Sequence, residues 1–108
     1  MNRCPSVLSL VVVAAFTLAA EAASAQLVVR IGHVGPLTGG IAHLGKDNEL
    51  GARLAIEDLN ARGIRISGQS VTWELLSEDD AADPRQAAAA ATKLVDARVG
   101  GVIGHLNS

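Results

Sequence analysis

Residues 71–104 read VTWELLSEDDAADPRQAAAAATKLVDARVGGVIG, and the fold turns on how this stretch divides. Val71, Trp73 and Leu75 alternate with Thr72 and Glu74, which predicts a strand over about 70–76, with Trp73 in the core. After the acidic run Glu78-Asp79-Asp80, Asp83-Pro84 opens a helix. Asp83 is suited to cap it, Pro84 fits the first helical position, and Gln86 stands where a capping-box partner belongs. Ala87, Ala90, Ala91, Leu94 and Val95 form its apolar face, and Gly100 to Ile103 is the next strand. Strand, helix, strand without a hairpin turn between the strands requires a crossover, hence parallel pairing.

The preceding residues repeat the pattern. Leu27 to Val34 is rich in valine and isoleucine and stops at Gly35-Pro36, as a buried strand followed by a turn does. The loop Gly35-Pro36-Leu37-Thr38-Gly39-Gly40 leads into a helix whose Ala52, Ala55, Ile56 and Leu59 share one face, with Gly63 as its stop. The whole order is β-α-β-α-β with helices between the strands, which argues for an α/β fold with a parallel sheet and right-handed crossovers. Ligands of such sheets bind beyond the carboxyl ends of the strands, which selects the loop 35–40 and the segment His105 to Ser108.

Residues 1–25 read as an address. Arg3 precedes the apolar run Val7 to Ala20, and Ala23-Ser24-Ala25 fits a signal-peptidase site, so cleavage is expected near Ala25. The run falls short of the about 20 residues that span a bilayer, so no stable membrane anchor is expected. Cys4, the chain's single cysteine, leaves with this segment.

The remaining 26–108 make one domain at most. It keeps the chain's net charge of −2 with no basic stripe, which excludes nucleic acid as an expected partner. Trp73 is its only aromatic residue and much of its apolar content is alanine. Burial stabilises by about 25 cal/mol per Å² of apolar surface, and alanine has little to bury, so marginal stability is expected.

Several catalytic and cofactor patterns fail. Gly32, Gly35, Gly39 and Gly40 do not make a dinucleotide fingerprint or a phosphate loop, so no cofactor is expected. His33, His43 and His105 are scattered and no cysteine remains beside them, so no metal site is expected. His33 reads as packed or solvated, and His43 as a surface residue. His105 and Ser108, with Asp79 or Asp80, could be arranged as a nucleophile and its base, but no strained elbow surrounds Ser108. Asp79, Asp80 and Asp83 read as a solvated turn and a helix cap.

The segments VRIGHVGPLTGGIAHLGKDNELGARLAIEDLNARG, SEDDAADPRQAAAAATKLV and GGVIGHLNS, taken in order, resemble the start of the periplasmic leucine/isoleucine/valine-binding proteins that serve branched-chain amino-acid ABC transporters. The resemblance runs from Arg30 to Ser108. It implies a periplasmic protein, not an enzyme, that closes two lobes over an amino acid and delivers it to a permease. Residues 26–108 would then be the first part of the first lobe, a truncated portion of a doubly wound parallel-sheet lobe, and unstable alone.

The resemblance also implies a site. Ser108 stands where the family hydrogen-bonds the amino acid's main-chain groups, and Thr38 and Gly39 lie at the cleft mouth. Leu44 takes a position where some relatives have a tryptophan against the ligand side chain. Ala82 and Asn107 stand where some relatives join two cysteines. Two rival readings remain: a sensor of the same fold for amides, urea or aromatic compounds, and an exported α/β hydrolase using His105 and Ser108.

Overall fold

The computed structural model describes residues 26–107. The expected leader, residues 1–25, and Ser108 lie outside the described residues. The elements are β1 (Leu27–Gly35), α1 (Ala42–Ala61), β2 (Arg65–Ile66), β3 (Gln69–Asp79), α2 (Pro84–Asp96) and β4 (Gly101–Ile103). They form one sheet in the order β2-β3-β1-β4. β1 pairs in parallel with β3 on one side and β4 on the other. The expected α/β parallel core is therefore present, with β1 at its centre.

Alternation along β1 assigns one helix to each face. Val34 points to the α2 side, where it forms a buried cluster with Ala90 and Leu94, and Leu76 and Val99 pack against it. Its neighbours His33 and Gly35 point to the α1 side. There Gly45 presses so closely on the loop after β1 that a Cβ on it would stand 2.0 Å from the Pro36 carbonyl oxygen. Ala52 and Ile56 continue this buried seam of α1.

Four details differ from the sequence reading. β2 was not anticipated; it forms an antiparallel hairpin with β3 through Ser67 and Gly68, both at positive φ, the geometry of a type I′ turn. β3 continues through the acidic residues to Asp79, because Glu78 and Asp79 pair with Val34 and Gly35 of β1. Trp73 is only partly buried, and its indole N–H, itself enclosed, has no partner among the described residues. Val95, expected on the inward face of α2, is 73% exposed, and Ala55 of α1 is also exposed. In α1 the seam runs through Gly45, Ala52 and Ile56 and leaves Ala55 to one side.

Both helix ends follow their local chemistry unequally. Asp83 caps α2 as expected, its carboxylate accepting from the N–H groups of Arg85 (2.8 Å) and Gln86 (3.2 Å), with Pro84 beginning the helix. α1 has Ile41 at the capping position and no side-chain cap. Its start must be held by something outside the helix.

Candidate functional site

β1, β3 and β4 run in parallel, so their carboxyl ends and the loops that follow lie at one pole of the sheet. The hairpin of β2 and β3 lies at the opposite pole. Strand order reverses at β1, since the chain goes from β1 to β3 on one side and then crosses to β4 on the other. This is where open α/β sheets bind ligands.

Two adjacent aspartates organise that pole. Asp79, the last residue of β3, turns to the α1 side. Its Oδ1 accepts from the N–H of Leu37 (2.7 Å) and of Ala81 (2.8 Å), and its Oδ2 accepts from the Thr38 hydroxyl (2.6 Å). The Thr38 bond, joined by those backbone N–H groups, holds the Asp79 carboxyl below the usual carboxylate range, against the opposing effect of burial.

Asp80 turns the other way and is 1% exposed. Its Oδ1 accepts from the N–H of Ala82 (2.9 Å), and its Oδ2 lies 3.3 Å from Nδ1 of His105 in the segment after β4. Its own N–H donates to Gly35 O (3.1 Å), and its carbonyl accepts from Asp83 N (2.8 Å). Ala81 and Ala82 both have positive φ, which costs about 1–2 kcal/mol for each residue with a side chain. The two aspartate carboxylates receive the N–H groups of these two alanines and so offset that cost.

The segment after β4 crosses β1 at close range. A Cβ on Gly104 would stand 2.2 Å from Val34 O, and φ there is +133°, so glycine is required on both counts. His105 and Asn107 follow and, with Asp80, Ala82, Ala87 and Ala91, line a concavity of about 370 Å³ on the α2 side.

The residues singled out in the sequence divide between the two sides. Thr38 is exposed and bound to Asp79. Gly39 is exposed at φ +87°, and Leu44 is 46% exposed in the first turn of α1. None of these three lines the concavity, whereas His105 does. Asp79 and Asp80 are not a solvated turn, as the sequence suggested; each is bonded to two loops. The acids do not pair with one another. Glu78 bonds Lys93 at 3.1 Å and Asp83 approaches Arg85 at 3.7 Å, so each carboxylate has a cation or N–H partner rather than a shared proton.

A second polar group lies beneath α1. His33 is 1% exposed and, among the described residues, its Nδ1 has no hydrogen-bond partner; Ser77, its cross-strand neighbour, has a buried hydroxyl likewise without one. Burial pushes the His33 imidazole below its usual value, while the charges of Glu49 and Asp80 pull the other way. Glu49 accepts from Arg53 at 2.6 Å, and this bond holds its carboxyl below the usual range against the opposing effect of burial. The sequence allowed His33 to be packed but did not indicate this group. Among the described residues no cluster of three or more metal-ligating side chains occurs, and no helix is long and apolar enough to cross a membrane.

The sequence matches a known family over most of the chain. The family model described as periplasmic binding protein covers residues 28–108. The chain belongs to the periplasmic binding protein family. The Leu/Ile/Val-binding protein of Escherichia coli (strain K12) is 39% identical over 80 residues, covering 74% of this chain and 21% of that protein. The leucine-specific-binding protein of Salmonella typhimurium is 41% identical over the same shares. The Leu/Ile/Val-binding protein BraC3 of Rhizobium johnstonii is 38% identical over 95 residues, covering 85% of this chain and 25% of its own. The chain thus spans about a fifth to a quarter of the length of these curated relatives, all named as binding proteins. Ala82 and Asn107, where the resemblance puts a disulfide in some relatives, line the same concavity.

Proposed function

We propose that residues 26–108 form the opening part of the first lobe of an exported binding protein for amino acids of the leucine class. The ligand is held between two lobes without chemical conversion and passed to the permease of an ABC transporter. The leader is removed near Ala25, and the protein works in the periplasm. The observation that carries this reading is the convergence of the loops after β1, β3 and β4 at one pole, tied together by Asp79 and Asp80, in a chain of this family.

The chemistry of that pole suits an amino acid. The Thr38 hydroxyl gives its one proton to Asp79, so toward a ligand its oxygen can only accept, as the N–H of an ammonium group requires. Leu44 offers an exposed aliphatic surface one loop away. Ser108 supplies a hydroxyl to the ligand's main-chain groups. No cofactor or metal takes part.

Calorimetric titration with leucine, isoleucine and valine tests the reading on the protein as its gene encodes it. Saturable binding, weakened about tenfold or more by Ser108→Ala, is expected, a loss of about 1.4 kcal/mol. Heat with amides or urea and none with amino acids would move the reading to the sensor. Hydrolysis of an added ester that Ser108→Ala abolishes would move it to the enzyme.

A further inference from the structure

Asp79 is placed to do more than satisfy a turn. The sheet fixes its backbone, since it pairs with Gly35, the last residue of β1. From that fixed point one carboxylate reaches two loops, its own β3–α2 loop at Ala81 and the β1–α1 loop at Leu37 and Thr38. Among the described residues, these last two are the only side-chain hydrogen bonds that reach the loop Pro36–Ile41. The loop needs them, because α1 begins at Ala42 and Ile41, at the capping position, supplies no side-chain cap.

We infer that Asp79 is the positioning residue of the ligand wall: it fixes the β1–α1 loop against the sheet and orients the Thr38 hydroxyl as a hydrogen-bond acceptor for the ligand. The inference rests on the amino-acid-binding reading for the identity of the ligand, and on the bond geometry for the rest. Asp79 itself acts through Thr38. With the carboxylate in place the Thr38 proton is committed, and toward a ligand its oxygen can only accept. Without it the loop loses both tethers at once. An asparagine would keep an acceptor for Leu37 and Ala81 while presenting an N–H₂ to Thr38, which frees the threonine proton and reverses its role.

Two measurements on the protein as its gene encodes it decide the matter. In amide exchange, Asp79→Ala is expected to lose protection at Leu37 and Ala81 and to keep it along β1, while Asp79→Asn keeps protection at all of these. Unchanged protection at Leu37 and Ala81 in Asp79→Ala overturns the inference, whatever the ligand.

In leucine titrations, Asp79→Ala and Asp79→Asn are both expected to bind about tenfold more weakly or worse, the scale of one lost hydrogen bond. Asn60→Ala, a change at the far pole, is expected to lower stability and leave affinity alone, which separates positioning from general loosening. Wild-type affinity in Asp79→Ala overturns the inference. If the unaltered protein takes up no leucine, isoleucine or valine, the amino-acid reading fails, and the exchange result alone then upholds or overturns the loop clamp.

Discussion

Asp79 and Asp80 are neighbours with opposite duties, one bonded toward α1 and the other toward α2, and the titration of Asp79 should differ from that of an exposed acid. Asp79 has a lowered folded-state pKa, chiefly through Thr38. Its stabilising contribution is complete above the unfolded value near 3.8 and is lost as pH falls through the lower folded value. His33 works in the other pH range. Its folded-state pKa is lowered by burial, so near neutral pH both states are uncharged. Below the ordinary value of 6.5 the unfolded chain binds a proton that the folded protein refuses. Stability should therefore fall from pH 7.5 to 5.5, by up to about 1.4 kcal/mol per pH unit below that value. Urea midpoints across this range check it: His33→Val should flatten the slope, and an equal slope in the variant would clear His33 of the effect.

At the scale of elements, two contacts hold α1 to the sheet at its two ends. At the start, Gly45 lies on the Pro36 backbone, and Gly45→Ala should destabilise by about 1–3 kcal/mol, read from the urea midpoint, because neither backbone can move freely. At the end, Asn60 acts as a short substitute strand: its amide donates to Trp73 O at 2.9 Å and accepts from Trp73 N at 2.8 Å. β2 pairs only with Gln69 and Ser70, so beyond it this side chain serves the free edge of β3. Asn60→Ala should cost about 1–2 kcal/mol in the same measurement.

The two helices and three parallel strands were legible in the sequence because apolar periodicity and the Asp83-Pro84 cap are local signals. The hairpin of β2 was carried only by Ser67-Gly68, a turn signal flanked by a strand of two residues, too short to show a period. The acidic end of β3 was not legible, since its pairing with β1 depends on register between distant residues. The same holds for the site: Leu37 and Thr38 meet Asp79 across 42 and 41 residues of chain, a distance that no spacing pattern spans.

For the molecule as a whole, burial is thin. Among the described residues the buried apolar side chains are Val34, Ala52, Ile56, Val71, Ala90 and Leu94, two of them alanine. Val102 and Ile103, on opposite faces of β4, are both exposed, and α2 presents Ala87, Ala88 and Ala91 to an open concavity. With so little apolar area removed from water, residues 26–108 alone should melt broadly rather than cooperatively by circular dichroism. A sharp transition would show that this core suffices.

The central claim is that the pole formed by the carboxyl ends of β1, β3 and β4 is a wall of an amino-acid site. Amide chemical-shift mapping with leucine, on the nitrogen-15-labelled protein as its gene encodes it, tests this most directly. Saturable shifts concentrated at Leu37 to Gly39, Leu44 and His105 to Ser108, with the hairpin 65–70 unmoved, are the predicted result. Shifts centred on the hairpin pole, or none at either pole in a folded protein, would contradict it.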